Sequence, residues 1–82
     1  MEIIFSPTAV KHLQKIGPVE KKKARKKIGI LKDNPLLGKQ LGGVLLGYRS
    51  YYAWPLRIIY SFDPPNQTLY IYDVDYRGKV YD

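Results

Sequence analysis

The hydrophobic pattern of this chain changes period near its middle, and this change limits the possible folds more than any other feature. Before residue 34 the apolar residues recur every three to four positions, which is the spacing of an amphipathic helix. After residue 47 they alternate, which is the pattern of a strand with one buried face. Helices followed by consecutive strands predict an α+β domain in which the helices cover one face of an antiparallel sheet. The chain has 82 residues, so we expect a single domain that spans residues 1–82.

The first half of the chain is expected to form a strand and an αα-hairpin. The run EIIF at residues 2–5 is typical of a short strand. Ser and Pro at residues 6–7 indicate a helix start, because Ser caps a helix and Pro lacks only an N–H that would have no partner there. Gly and Pro at residues 17–18 are expected to end this helix, with Gly as its C′ residue. A second helix is predicted at residues 19–32, and it ends before Pro35, which disfavours helical geometry in the preceding residue.

The second half is expected to form three strands joined by short turns. The strands are predicted at residues 48–54, 56–62 and 68–77, with turns at Pro55 and at DPPNQ, residues 63–67. Such a series makes an antiparallel meander. The apolar, Gly-rich segment that precedes it, LLGKQLGGVLLG, is expected to pack down onto the domain.

Alternation within the last two strands predicts which side chains share a face. In the first of these strands, one face is expected to hold Leu56, Ile58, Tyr60 and Phe62. In the second, one face is expected to hold Tyr70, Tyr72, Val74 and Tyr76, and the other Leu69, Ile71, Asp73, Asp75 and Arg77.

The excess positive charge of the chain is confined to its first half. The chain carries 14 Lys and Arg against 7 Asp and Glu, a net charge of +7. Residues 1–41 hold ten of these basic residues and three of the acidic ones, so they account for the whole excess. Six of the basic residues lie on the polar face of the second predicted helix: Lys21, Lys22, Lys23, Arg25, Lys26 and Lys27. Such clustering indicates a polyanionic partner, nucleic acid or an acidic protein segment, although a merely solvated helix face has the same pattern.

Composition disfavours several other classes of protein. The chain contains no Cys, which excludes disulfides and thiolate metal sites. Asp73 and Asp75 are a weak metal motif, because they have no His beside them and no magnesium-binding loop. We therefore expect no cofactor and no metal. No apolar run approaches the length of a membrane span, and the N-terminus does not resemble a signal peptide, so we expect no membrane association and a cytoplasmic location.

Five stretches carry, in order, a resemblance to a known family: FSPTAVKHLQKI, DNPLLGKQLGG, GYRSYYA, LRIIYSF and YIYDVDYRGKVY. The chain resembles the RelE/ParE superfamily of small toxins from bacterial and archaeal toxin–antitoxin modules. This superfamily commonly shows a turn N-P-x-x-G-K-x-L, then G-Y-R, then a strand Y-R-I-I-Y, and the resemblance covers nearly all of the chain. It implies a RelE/ParE-like fold and a cognate, RelB-like antitoxin with a segment that wraps the toxin, and it allows a toxin–antitoxin hetero-oligomer.

The resemblance also implies an activity. RelE-like members cut mRNA in the ribosomal decoding site, and they use basic residues on the sheet and a Tyr near the C-terminus. By position, the catalytic residues would be Arg49 in GYRS, Arg57 in LRIIY, and Arg77 and Tyr81 in YRGKVY. Tyr51 and Lys79, together with the basic residues of the second helix, would contact RNA or the ribosome.

The chemistry of RNA cleavage without a metal suits these residue types. The 2′-OH must lose its proton, the charge of the phosphorane must be stabilised, and the 5′ oxygen must take up a proton. Arg is planar and always charged, so it suits the phosphorane charge but serves poorly as an acid or a base. A Tyr side chain has a pKa of about 10, and it can move a proton if neighbouring cations lower that pKa.

The chain also departs from the RelE-like pattern. Tyr76 stands where a His is usual on the final strand, and Tyr51 stands where a second Lys is common. The single His of the chain, His12, is expected on the surface of the first helix. Two alternatives therefore stay open beside the mRNA endoribonuclease: a ParE-like inhibitor of DNA gyrase, and a catalytically degenerate toxin that only binds an antitoxin.

Overall fold

The computed structural model describes residues 1–80, with side chains for residues 1–78, and this part of the chain forms a five-stranded sheet and a helical hairpin. In chain order the elements are β1 (Glu2–Phe5), α1 (Pro7–Lys15), α2 (Pro18–Asp33), β2 (Lys39–Gln40), β3 (Arg49–Ala53), β4 (Leu56–Asp63), β5 (Thr68–Tyr76) and α3 (Arg77–Val80), with a 3₁₀ turn at Gly43–Leu45. The predicted α+β class, N-terminal strand, αα-hairpin and meander (β3, β4, β5) are confirmed. Within residues 1–80, no helix has both the length and the apolar character needed to cross a bilayer.

The strands are arranged in the order β1-β5-β4-β3-β2. β1 runs parallel to β5, and all other neighbouring strands of this sheet are antiparallel. A parallel pair needs a long crossover between its strands, and here the helices and the other strands provide it. The hydrophobic pattern did not predict β2, which has two residues, or the pairing of β1 with β5.

The core lies between the helical hairpin and one face of the sheet. α1 packs against β5 and β1, and α2 packs against β3 and β4. On this face the buried side chains of the sheet include Leu56, Ile58, Tyr60, Leu69, Ile71 and Val74. The hairpin contributes Ala9, Ile16, Ala24, Ile28 and Leu31. Removal of this apolar surface from water stabilises the folded domain.

Ser6 fixes the start of α1 to the sheet. Its hydroxyl accepts a hydrogen bond from the backbone N–H of Ala9 (3.0 Å), which confirms the predicted N-cap. The same hydroxyl donates to the backbone carbonyl of Tyr72 on β5 (2.5 Å), so the cap also anchors the helix to the sheet. At the other end of α1, Gly17 has a φ of −63° and is the N-cap of α2. Gly17 directly follows Ile16, the C-cap of α1, so it occupies the predicted C′ position. Its backbone is not left-handed, because the same residue also begins the next helix.

A β-bulge in β5 changes which of its side chains face the core. The register between β4 and β5 shifts between Ile59 and Tyr60, and Tyr72 of β5 is the extra residue. Alternation restarts after this residue, so the buried apolar side chains of β5 are Leu69, Ile71 and Val74. The predicted grouping of Val74 with the tyrosines of this strand is wrong, because a strict period of two cannot anticipate an inserted residue. The grouping predicted for β4 is confirmed.

The segment between α2 and β3 packs down only in part. A backbone hydrogen bond from the N–H of Leu41 to the carbonyl of Tyr48 (3.0 Å) closes the second half of this segment. At its tip, however, Val44 is 94% exposed and Leu46 is 78% exposed. The prediction that the whole apolar segment packs onto the domain is therefore wrong, since no element among the described residues covers the 3₁₀ turn.

Candidate functional site

Side chains from three elements converge at one end of the sheet, beside the turn between β3 and β4. Tyr52 of β3 and Arg57 of β4 are direct cross-strand neighbours. Arg77 follows β5, and its backbone N–H donates a hydrogen bond to the carbonyl of Pro55 in the turn (3.0 Å). Trp54 lies in the same turn and is exposed. We refer to Tyr52, Trp54, Arg57 and Arg77 as the arginine–aromatic cluster.

Both guanidinium groups of this cluster lie against aromatic rings. Cζ of Arg57 is 5.0 Å from the ring centroid of Tyr52, and Nη2 of Arg57 donates a hydrogen bond to the phenol oxygen of Tyr52 (2.5 Å). Cζ of Arg77 is 5.8 Å from the centroid of the Tyr52 ring and 5.7 Å from that of the Trp54 ring. Attraction between cation and ring offsets part of the repulsion between the two cations. The sheet thus presents two fixed positive charges at its surface.

The electrostatics of the cluster favour the ionised form of Tyr52. Hydrogen bonding from Arg77, and then from Arg57, lowers the pKa of Tyr52 below its ordinary value of 10.0. Desolvation acts in the opposite direction, and the charges of the two guanidinium groups lower the pKa a little further. Tyr52 is also 45% exposed, so a bound ligand can reach it. A larger fraction of Tyr52 than of an ordinary Tyr is therefore ionised at neutral pH, and the phenolate is the form that can accept a proton.

A groove of about 530 Å³ opens beside the cluster. Its cationic lining consists of Arg57, Lys27 from α2 and Lys39 from β2. Its apolar and aromatic lining consists of Leu37, Leu41, Tyr51 and Tyr52. Cations that contact phosphate, beside rings that stack on bases, are the usual means of binding single-stranded nucleic acid.

The basic face of α2 is continuous with this groove. Lys22, Lys23, Arg25 and Lys26 are exposed, which confirms the predicted polar face, and Lys21 and Lys27 are half-buried. Nζ of Lys23 donates a hydrogen bond to the backbone carbonyl of Trp54 (3.4 Å). Nζ of Lys27 lies 5.7 Å from the ring centroid of Tyr51. Positive charge therefore extends from the helix to the arginine–aromatic cluster.

Arg49 lies apart from the cluster. It stands three residues before Tyr52 on β3, so alternation directs the two side chains to opposite faces. Nη1 of Arg49 donates hydrogen bonds to the carbonyls of Gly38 (2.8 Å) and Leu36 (3.2 Å). The structure thus brings Arg57 and Arg77 together, as the sequence hypothesis requires, and places Arg49 at the segment that follows α2.

The remaining predicted site residues have different positions. Tyr51 pairs with Ile58 and packs against the core, while it also lines the groove. The hypotheses for Tyr81 and for the side chain of Lys79 fall outside the described residues.

Sequence reasoning missed Tyr52, although a signal for it exists in the hairpin. A two-residue turn at Trp54 and Pro55 pairs positions that are equidistant from it, so residue 52 faces residue 57. Once Arg57 is taken as a phosphate-binding candidate, its neighbour Tyr52 follows from the turn. The contact with Arg77 cannot be found in this way, because it depends on where β5 ends in space.

His12 forms a second polar cluster with two carboxylates between α1 and β5. Nδ1 of His12 lies 2.6 Å from Oδ1 of Asp73 and 3.4 Å from Oδ2 of Asp75. Asp73 is only 7% exposed, and a buried carboxylate needs such a partner. The prediction of a surface His is therefore wrong, because the side chain turns inward to the sheet and anchors α1.

Comparison with known proteins identifies the fold. The fold of this chain is similar to that of solved toxins of the RelE/ParE superfamily. The family model for the ParE toxin of type II toxin–antitoxin systems matches residues 3–81, and the chain belongs to this family. It is accordingly a toxin of a type II toxin–antitoxin system. No curated protein sequence matches the chain.

Several solved structures are similar over almost their whole length. A chain of the toxin–antitoxin complex RelBE2 from Mycobacterium tuberculosis is 31% identical, with a TM-score of 0.85 over 93% of this chain and 96% of that chain. The YoeB/ParE toxin from Agrobacterium tumefaciens is 19% identical, with a TM-score of 0.82 over 94% and 99%. The isolated RelE toxin of E. coli is 19% identical, with a TM-score of 0.79 over 98% and 89%. The last two likenesses show the fold alone.

Proposed function

We propose that this toxin is a ribosome-dependent mRNA endoribonuclease that inhibits translation. The observation that carries the proposal is the convergence of Arg57 and Arg77 on one exposed phenol at the end of the sheet. The resemblance to RelE-like toxins implicates the same two arginines in mRNA cleavage. Two preorganised cations suit the charge that develops on a phosphorane, because they need not reorganise during the reaction.

In the proposed reaction, the 2′ oxygen attacks the adjacent phosphorus, and the bond from phosphorus to the 5′ oxygen breaks. Arg57 and Arg77 stabilise the phosphorane oxygens with charge-assisted hydrogen bonds. Tyr81 moves one of the two protons, as the resemblance implies. The products carry a 2′,3′-cyclic phosphate and a 5′-hydroxyl. Arg49 is bound to two backbone carbonyls, and we assign it a supporting role at the segment around Gly38.

The basic helix is proposed to bind the ribosome, and Tyr51 and Lys79 are proposed to contact RNA. Lysine and arginine contacts to phosphates contribute affinity without reading sequence. The basic face of α2 is continuous with the groove, which supports a path along which mRNA reaches the arginine–aromatic cluster. Because the proposed substrate is translated mRNA, the proposal places the toxin in the cytoplasm.

We also propose a RelB-like antitoxin as the partner. β1 is an edge strand, and beside it lies an apolar groove of about 490 Å³ that is lined in part by Phe5, Leu13 and Ile28. Lys21 and Arg25 border this groove, so an acidic segment with an apolar face fits it. Such segments fold as they bind and can wrap a large surface. Binding should weaken as salt rises, and salt-independent affinity would contradict the role given to charge.

A second candidate function is inhibition of DNA gyrase, and the family match favours it. The matching model is that of the ParE toxins. A ParE-like inhibitor would act by binding, so it would not need the arginine–aromatic cluster. The two functions therefore differ in how they respond to replacement of Arg57 and Arg77.

Toeprinting of a translated mRNA with the purified toxin tests the proposal. We expect cuts within the ribosomal decoding site, and no cuts in the same mRNA without its start codon. The 5′ fragments should end in a 2′,3′-cyclic phosphate, and 3′-hydroxyl ends would contradict the mechanism. A gyrase supercoiling assay runs in parallel. Gyrase inhibition without cleavage would establish the ParE-like alternative, and inactivity in both assays would leave a toxin that only binds its antitoxin.

A further inference from the structure

The phenol oxygen of Tyr52 lies beside both arginines that are proposed to bind the scissile phosphate. It accepts a hydrogen bond from Arg57, its ring lies beside the guanidinium of Arg77, and its side chain is exposed. We propose that Tyr52 is the general base that removes the 2′-OH proton. This inference rests on the proposed endoribonuclease function, and the sequence resemblance assigns Tyr52 no role.

A general base must lie within hydrogen-bond reach of the proton that it removes. The 2′-OH and the scissile phosphate belong to the same nucleotide unit and are neighbours. A group beside the phosphate site is therefore also beside this proton. Tyr52 is such a group, because the arginines proposed to hold the phosphate contact its hydroxyl and its ring.

Other tyrosines of the described chain are engaged elsewhere. The hydroxyl of Tyr60 donates to the carbonyl of Pro35 (2.7 Å) and accepts from the N–H of Gly38 (2.8 Å). Tyr48 and Tyr72 pack against each other, with ring centroids 5.1 Å apart. Among residues 1–78, the phenol that two arginines contact is that of Tyr52.

The charges around Tyr52 also favour its phenolate. Arg77 and Arg57 lower its pKa. Further charged groups of the described residues lie on the elements packed around the cluster. These groups are Lys23 and Lys27 of α2, Lys39 of β2, and Asp75 of β5, the cross-strand neighbour of Arg57. The balance is cationic, so these charges act in the same direction as the two arginines and make Tyr52 easier to ionise than an ordinary Tyr.

The proton and bond changes balance without any further reactant. The Tyr52 phenolate takes the proton of the 2′-OH as the 2′ oxygen forms its bond to phosphorus. The bond between phosphorus and the 5′ oxygen then breaks, and that oxygen leaves with the electron pair. A general acid, for which Tyr81 is the candidate, gives the 5′ oxygen a proton. Solvent afterwards returns Tyr52 and Tyr81 to their starting states.

Single-turnover cleavage by Tyr52→Phe tests the inference. Phe keeps the ring and removes the oxygen, so the rate at pH 7 should fall about a hundredfold while ribosome binding stays unchanged. Tyr72→Phe is the matched control, because it removes an exposed phenol that contacts Tyr48 instead of the arginines, and it should cleave at the parent rate. The parent rate should also rise with pH below the pKa of Tyr52, and Tyr52→Phe should abolish that rise.

A substrate with sulfur in place of the 5′ oxygen separates the base from the acid. A thiolate leaves without protonation, so this substrate no longer needs a general acid. It should restore the rate of Tyr81→Phe but leave Tyr52→Phe slow. A positioning role for Tyr52 would instead lower the rate equally at every pH and leave the pH profile unchanged in shape.

The outcomes separate this inference from the proposed function. If the parent toxin cleaves translated mRNA and Tyr52→Phe cleaves equally well with the same pH profile, Tyr52 is not the base and the endoribonuclease function stands. If the sulfur substrate rescues Tyr52→Phe, the residue acts on the leaving group and the assignment as base is wrong. If the parent toxin does not cleave at all, both the function and the inference are overturned.

Discussion

The backbone N–H of Gly38 donates a hydrogen bond to the phenol oxygen of Tyr60 (2.8 Å), and that hydroxyl donates in turn to the carbonyl of Pro35 (2.7 Å). Tyr60 is fully buried, so its hydroxyl depends on these two bonds instead of water. A Cβ at position 38 would lie 2.6 Å from this phenol oxygen and 3.0 Å from the carbonyl of Ser50. This close approach gives a physical reason for the glycine in the NPLLGK turn.

Gly38→Ala should therefore destabilise the fold. The added methyl group must displace a buried ring or the backbone of β3, and overpacking of this kind costs about 2 kcal/mol. Gly42→Ala is the control, because a Cβ there meets nothing within 4 Å and the φ of −119° suits any residue. Urea unfolding of both variants measures the difference. Equal stability of the two would show that Tyr60 moves aside without loss.

Removal of the Tyr60 hydroxyl should destabilise the protein and change its response to alkali. Tyr60→Phe leaves the buried N–H of Gly38 without its partner and removes the bond to the half-buried carbonyl of Pro35, which costs about 2 kcal/mol. Burial raises the pKa of Tyr60, although the bond from Gly38 opposes this. The unfolded chain thus loses this proton at lower pH than the folded chain, and the stability contributed by Tyr60 is present below about pH 10 and lost above it. The stability difference between parent and Tyr60→Phe should shrink above that pH in urea unfolding, and a constant difference would exclude the linkage.

His12→Ala should loosen α1 from the sheet. It leaves the carboxylate of Asp73, which is nearly buried, without its partner at 2.6 Å, and we expect a loss of about 2 kcal/mol. Hydrogen exchange should then speed up in α1 more than in α2. The exposed Lys11→Ala provides a control on the same helix. Equal exchange in both variants would mean that the imidazole adds nothing to the packing of α1.

Arg57→Ala or Arg77→Ala should each slow mRNA cleavage by about a hundredfold, which corresponds to about 3 kcal/mol of transition-state stabilisation. Lys should rescue only in part at either position, because a point charge cannot reproduce the fork of donors. Single-turnover rates on programmed ribosomes measure both effects. Lys32→Ala, at the far end of α2, serves as a charge-matched control. Full activity of both arginine variants would show that the scissile phosphate binds elsewhere on the protein.

Neutralisation of the exposed helix face should weaken ribosome binding without unfolding the protein. Lys22 and Lys26 are exposed, so their replacement by Gln should cost no more than about 0.5 kcal/mol each in stability. Affinity for ribosomes should fall, and its dependence on salt should become shallower. The pair Lys11 and Lys15 on α1 offers a control of equal charge. An unchanged ribosome affinity would show that the α2 face is merely solvated.

The site could be predicted from the sequence in part. Arg57 and Arg77 follow from the resemblance, and the structure places them together. Tyr52 could have been found from the hairpin register, whereas the engagement of Arg49 with two carbonyls could not. Whether a guanidinium binds a phosphate or a backbone carbonyl depends on which distant segment packs beside it. A local sequence pattern does not predict that packing.

The sequence by itself determined the order of α1, α2 and the meander strands, the cap at Ser6 and the basic face of α2, because these depend on residues within a turn or two of each other. The tertiary structure alone decided the bulge at Tyr72, the inward turn of His12 and the meeting of Arg77 with Tyr52. These features arise where distant segments compete for the same space and the same hydrogen bonds. Propensity and periodicity act along the chain, so they place each residue on a face but do not fix which distant residue it meets.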